Sequence, residues 1–205
     1  MNKIHNSWKP IFDKNNIDEL YKNNIVYPPK EMIYRVFEMD VKEIKILLLG
    51  QDPYHKKGQA NGFSFSCNNC IPPSLKNIFK EIKLEFPERN YNFNSGNLDK
   101  WFYREKIFLL NASLSVIESS PGTHMKLWED FTNSVIKFIS ENNNKCIFLL
   151  LGNFAKSKEK FITNKNLIIS ATHPSPLAQR GNKFIGSNVF KQIEKILNYQ
   201  VNWQN

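Results

Sequence analysis

The chain has few cysteines, no long apolar run and a shortage of acidic residues, and each shortage excludes something. Three cysteines in 205 residues, Cys67, Cys70 and Cys146, allow no complete disulfide set. A disulfide-stapled secreted scaffold is therefore excluded, and a reducing compartment is expected. Cys67-Asn68-Asn69-Cys70 has the C-x-x-C spacing, but a structural zinc needs a second ligand pair. Neither Cys146, inside an apolar run, nor a nearby histidine supplies one, so no metal or redox role is assigned to it. No segment approaches the roughly 18 consecutive apolar residues of a membrane span, and Met1 to Asn6 lacks the apolar core of a signal peptide. The expectation is an intracellular, soluble protein with no membrane partner. No repeat or low-complexity segment appears either, which leaves one domain, 1–205, of a size that buries a substantial core.

Acidic residues number 19 against 28 Lys and Arg, a formal net charge of +9. That balance fits a polyanionic partner, through phosphate contact and long-range steering. The chain is also visibly rich in Lys, Asn and Ile, as products of AT-rich genomes are, so charge alone does not assign nucleic-acid binding.

The organising stretch is Ile46-Leu47-Leu48-Leu49-Gly50-Gln51-Asp52-Pro53-Tyr54-His55. A short run that is apolar on both faces and closed by glycine reads as the central strand of a parallel sheet. The polar residues after it then lie at the strand's carboxyl end, where open α/β sheets bind ligands. Pro53 fixes its own φ and biases Asp52 towards an extended backbone, which aims one carboxylate. Ile107-Phe108-Leu109-Leu110-Asn111 repeats the plan, ending in an amide that can both donate and accept. Cys146 to Leu151 is a third run, closed by Gly152-Asn153, and Leu167 to Ser170 a fourth, followed by His173. A glycine at Gly152 would let a backbone N–H come close to phosphate. Strands separated by helical segments predict a single-domain, three-layer α/β/α fold with a central four-stranded parallel twisted sheet and one crevice.

Around that frame, 7–25 and 30–39 read as amphipathic helices joined by Tyr27-Pro28-Pro29. Residues 61–66 alternate as a short extended segment, and Ile71-Pro72-Pro73-Ser74-Leu75 opens a helix to about Leu84. Free N–H groups there, with Ser74, suit a phosphate. Asn90 to Asn97 is a plain loop. Glu118 to His124 is a loop in which His124 reads as an exposed residue and not a catalyst. Trp128 to Ser140 and Asn188 to Leu197 read as helices.

Gly50-Gln51-Asp52-Pro53-Tyr54-His55 resembles the water-activating motif of the main, Ung-type (family 1) uracil-DNA glycosylases. His173-Pro174-Ser175-Pro176-Leu177 resembles that family's second signature, and Leu109-Leu110-Asn111-Ala112 its base-reading strand end. Order and approximate separations agree, and the similarity runs from Ser7-Trp8 almost to the C-terminus. The resemblance implies a monofunctional glycosylase that flips uracil out of single- or double-stranded DNA and hydrolyses its N-glycosidic bond without metal or cofactor. Asp52 and His173 are the implied catalytic residues: Asp52 supports the cationic sugar and the water, and a neutral His173 supports the departing base. Gln51, Tyr54, Phe65 and Asn111 would form the base pocket, with Tyr54 blocking the thymine methyl and Phe65 stacking on the base. Pro72, Pro73, Ser74, Gly152, Asn153, Ser175, Leu177 and Arg180 would contact DNA, Leu177 as the wedge that fills the vacated stack. A monomer is implied, in the bacterial cytoplasm or, in a eukaryotic or viral setting, the nucleus, and a uracil-mimicking protein inhibitor would fit the same face. Three cysteines also separate the chain from iron–sulfur glycosylases, which need four cysteine ligands.

The chain departs from the family pattern in two places. Asn153 stands where the family has serine, and the stretch between Leu177 and Arg180 is one residue short while Asn182 to Ile185 is longer. Other readings are a mismatch-directed glycosylase of the same fold, a non-catalytic DNA-binding or processivity subunit, and a metal hydrolase using Asp52, His55 and His173.

Overall fold

The computed structural model describes residues 3–12, 17–163, 167–178 and 183–205. Four apolar runs form the sheet: β2 (Ile46–Gly50), β3 (Ile107–Asn111), β5 (Ile147–Leu151) and β6 (Leu167–Ala171). All its neighbours are parallel, in the order β3-β2-β5-β6. β2, β3 and β5 are buried along their whole length, whereas β6, at the edge, exposes Leu167 and Ser170. Helices cover continuous apolar strands because neither face of such a sheet can be left in water. A separate antiparallel pair, β1 (Val26–Tyr27) with β4 (Val116–Ile117), was not foreseen in the sequence.

The helices are α1 (Asp18–Lys22), α2 (Pro73–Glu85), α3 (Asp99–Tyr103), α4 (Met125–Asn142), α5 (Asn153–Lys156) and α6 (Val189–Leu197). One contiguous apolar core runs from Trp8 through all four strands to Trp203. The N-terminal reading needs correction. In place of two long amphipathic helices stand short helical turns at Asn6–Trp8, Lys30–Met32, Arg35–Glu38 and Val41–Glu43, with the brief α1; residues 13–16 lie outside the described set. Short helices are marginal on propensity alone. Here the aromatic anchors Trp8, Phe12, Tyr34 and Phe37 pack edge to face on one another, and Trp8 stacks on Phe108, so packing and not periodicity sets the backbone. The alternating segment 61–66 is also not a strand. Its polar residues are pinned individually: Ser64 Oγ donates to the Leu48 carbonyl, and Asn61 Nδ2 donates to Ser66 Oγ.

α2 ties the site to the core through one helical face. Asn77 Nδ2 donates to the Pro174 carbonyl at 2.7 Å. One and two turns further on, the buried carboxylates of Glu81 and Glu85 accept main-chain N–H groups at the start of α6, Glu81 from Gly186 and Asn188, Glu85 from Phe190 and Lys191. These carboxylates occupy donors that a helix start leaves unpaired. Burial pushes Glu85 up from 4.5 to about 7, with the Lys191 amide opposing and the neighbouring Glu81 adding to the rise. A carboxyl whose folded value exceeds its unfolded value contributes stability below the unfolded value and loses it as pH rises through the folded one. The thermal midpoint should therefore fall as pH rises from about 4.5 to about 7, and Glu85→Gln should flatten that slope. Parallel pH profiles for variant and wild type would refute the assignment.

Candidate active site

The register of the sheet builds the site. Gly50 ends β2 directly beside Asn111 at the end of β3. A Cβ at Gly50 would stand 2.3 Å from Asn111 Oδ1 and 2.8 Å from Ser64 Cβ, so only glycine lets that amide lie against the strand end. Asn111 is 6% exposed, and its amide has no hydrogen-bond partner among the described residues. An amide held this tightly yet unpaired is set up to read a ligand's donor and acceptor edge.

The loop after β2 carries Gln51, Asp52 and Tyr54. The Gln51 carbonyl accepts the Ser113 N–H at 2.9 Å, and its side chain is exposed. Asp52 is half-buried, and its Oδ2 accepts the Gly122 N–H at 2.8 Å. Burial pushes the Asp52 carboxyl above its ordinary value, and the Gly122 amide and nearby His55 pull it back. Tyr54 is half-buried and donates weakly, at 3.4 Å, to the Phe65 carbonyl. Phe65 sits in the left-handed region at φ 59°, costly for a bulky residue. That backbone turns its ring towards His173, with centroids 6.1 Å apart and planes at 34°.

His173 follows β6. The Ser175 N–H donates to its Nδ1 at 3.1 Å, so Nδ1 accepts and the neutral ring carries its proton on Nε2. Burial lowers the His173 value, which favours that same uncharged form. Gly152, at φ 90°, makes room for it, because a Cβ there would meet His173 Cβ at 2.7 Å. The Gly152 N–H does not point to a ligand. It donates to the Ala171 carbonyl at 2.9 Å, so the expectation of a free amide at this corner is corrected: the sheet ladder takes it, and Asn153 is the next group available. Ser175 Oγ accepts the Leu177 N–H at 3.3 Å, and Leu177 projects with 92% of its surface exposed. Pro72 is buried, Pro73 exposed and Ser74 half-buried at the opening of α2, where no side chain caps the helix. Arg180 lies outside the described residues.

Two residues to which the sequence reading gave no role are hydrogen-bonded here. Gly122 orients Asp52 through its amide. His124 is half-buried and not a plain exposed residue: Trp128 Nε1 donates to Ser115 Oγ at 2.8 Å, and that hydroxyl lies 2.8 Å from His124 Nδ1. The Pro121-Gly122 turn was visible in the sequence, but its target across the chain was not. Among the described residues, no three or more His, Cys, Asp or Glu side chains form a group that could hold a metal, so Asp52, His55 and His173 are not gathered as the metal-hydrolase reading requires. Nor is any described helix long and apolar enough to cross a membrane.

A family model described as "Uracil DNA glycosylase superfamily" matches residues 37–198. A relative from Fusobacterium nucleatum subsp. nucleatum named "Uracil-DNA glycosylase" is 43% identical, over 100% of this chain and 97% of its own. One of the same name from Borrelia duttonii is 43% identical over 95% of this chain and 94% of its own. A solved mimivirus UNG variant in complex with UGI superposes with a TM-score of 0.85 at 24% identity, covering 98% of this chain and 89% of that one.

Nuclear magnetic resonance of ring nitrogens should find His173 titrating below 6.5 and neutral at pH 7 with its proton on Nε2. A higher midpoint, or a proton on Nδ1, would contradict the geometry.

Proposed function

This chain belongs to the uracil-DNA glycosylase superfamily, and we propose that it removes uracil from single- and double-stranded DNA by flipping the base into the pocket at the carboxyl end of the sheet. The activity is that of a hydrolase acting on N-glycosyl bonds, and its product, an abasic site, opens base-excision repair. The observation that supports the reading is that the carboxyl ends of the parallel strands are followed by, or carry, Asp52, whose Oδ2 accepts the Gly122 N–H, the buried Asn111, and His173, whose Nδ1 accepts the Ser175 N–H.

Breaking the N-glycosidic bond builds positive charge on the sugar and negative charge on the leaving base, so fixed groups of opposite sense must stand at the two ends. Asp52, ionised at neutral pH and aimed by the Gly122 amide, supports the sugar and orients the attacking water. Burial raises its value above that of an ordinary carboxylate, so activity falls on the acid side at a higher pH than an unperturbed aspartate would set. His173 donates from Nε2 to the base oxygen as charge grows there. A neutral donor suits this end because it needs no counter-charge before the base departs.

Selection against thymine turns on one methyl group, and a merely apolar pocket discriminates that by only about 1–3 kcal/mol. Tyr54, held between Pro53 and the Phe65 carbonyl, acts as a rigid block. Cytosine is rejected by Asn111, because the wrong edge leaves a buried amide mispaired. Phe65 stacks on the base, and the Gln51 backbone frames it. Outside the pocket, Pro72, Pro73, Ser74, Ser175, Asn153 and Arg180 contact the DNA backbone, with Gly152 shaping the corner. Leu177 wedges into the stack, which its 92% exposure supports.

We further propose one domain over 1–205, working as a monomer without metal or cofactor, in the cytoplasm of a bacterium or the nucleus of a eukaryotic or virus-infected cell. The mimivirus complex with UGI supports the reading that an inhibitor mimicking uracil docks on the same face.

In an oligonucleotide assay with excess chelator, Asp52→Asn should lose uracil release by about 100-fold or more while still binding uracil-containing DNA. Undiminished release would sink the carboxylate's role, and tight binding without release by wild type would favour a non-catalytic DNA-binding protein. Tyr54→Ala should begin to release thymine, and complete rejection of thymine by that variant would move the block elsewhere.

A further inference from the structure

The C-x-x-C pair takes no part in the chemistry above, yet the fold brings its sulfurs together. Cys67 Sγ and Cys70 Sγ lie 2.8 Å apart, inside ordinary sulfur contact distance. The turn between them is clamped from outside. The Cys67 N–H donates to the Gly96 carbonyl at 2.9 Å, and a Cβ at Gly96 would meet the Cys70 carbonyl at 1.9 Å and that of Cys67 at 2.8 Å. No side chain can separate that backbone from the turn. The two sulfurs are unequal: Cys67 is fully buried, whereas Cys70 is half-exposed and its Sγ accepts a hydrogen bond from Gln59 Nε2 at 3.4 Å. Cys146 is sealed in the core and has no such neighbour.

We propose that Cys67 and Cys70 are a reversible redox site that closes to an intramolecular disulfide by exchange with a low-molecular-weight disulfide such as oxidised glutathione. The accessible Cys70 thiolate attacks one glutathione sulfur, breaking the glutathione S–S bond and releasing one glutathione thiolate. Cys67 then gives up its proton to the departing thiolate and attacks Cys70 Sγ in the mixed disulfide, releasing the second glutathione. Two protein thiols are oxidised and one small disulfide is reduced to two thiols, so the electrons balance. Closure asks for little movement, because a disulfide needs about 2.05 Å between sulfurs and the pair already stands at 2.8 Å. Burial pushes the Cys67 thiol up to about 11, with Cys70 beside it adding to the rise. Cys70 is the more accessible of the two, which assigns the attacking role to it, since access governs exchange. The site adjoins the pocket wall, two positions after Phe65, in a turn of the chain that a reducing cytosol would keep open and an oxidising episode would staple.

The test is to equilibrate the folded full-length protein with graded mixtures of reduced and oxidised glutathione, quench with acid, alkylate, and read intact mass and peptide linkage. Wild type should lose two hydrogen masses, with the linkage mapping to Cys67–Cys70 and Cys146 still free, and reductant should reverse it. Cys67→Ser should instead accumulate one unresolved glutathione adduct on Cys70, and Cys70→Ser should form neither product. The proposal is overturned if folded wild type keeps all three thiols, carries a stable glutathione adduct, links through Cys146 or between chains, or forms the bond only after unfolding. The readout is mass and linkage, so it stands apart from whether the chain releases uracil.

Discussion

Everything at the site depends on a steric constraint between two strand ends. β2 stops at Gly50, β3 stops at Asn111, and the parallel register places them opposite each other with no room for a single extra carbon. Because the glycine has no side chain, the Asn111 amide settles against the strand end, without a hydrogen-bond partner among the described residues. Because the strand then turns into Gln51-Asp52-Pro53, the carboxylate leaves from the same point. A methyl group at Gly50 would displace the amide and Ser64 together, disturbing the strand end and the segment leading to Phe65.

Gly152 repeats the same device at the neighbouring strand, where the crowded atom belongs to His173. Two glycines at two strand ends thus let two polar side chains pack against the backbone. The remaining groups are oriented by main-chain amides: Gly122 on Asp52, Ser175 on His173 Nδ1. Backbone donors of this kind are fixed by the fold and need no reorganisation when charge develops, which is where catalytic electrostatics gains most. α2 completes the arrangement, since one of its faces holds the Pro174 carbonyl and the start of α6. It thereby links both sides of the segment that carries Leu177.

The parts of the reading that failed have a common cause. The N-terminal region and residues 61–66 have suggestive periodicity, but their backbones follow the places where Trp8, Phe37, Ser64 and Asn61 find partners far away in sequence. His124 does stand in the loop before α4, but it is half-buried and not exposed, because Ser115 Oγ, itself held by Trp128 Nε1, lies against its ring. The Gly152 amide was read as free because sequence reveals a glycine but not the Ala171 carbonyl opposite it.

The sequence by itself determined the parallel sheet, since short runs apolar on both faces, each closed by a glycine or polar residue and separated by helical segments, read as buried parallel strands. It also determined which polar residues stand at the strand ends, and the motifs around Asp52 and His173 that identify the superfamily. Only the tertiary structure decided the hydrogen-bond partner of His173 Nδ1, the aim of Asp52, the burial of Asn111 and the meeting of the Cys67 and Cys70 sulfurs. The first set depends on local pattern and chain order. The second depends on groups that meet only when distant segments pack, and a hydrogen-bond partner or a missing ångström of space is a property of that packing.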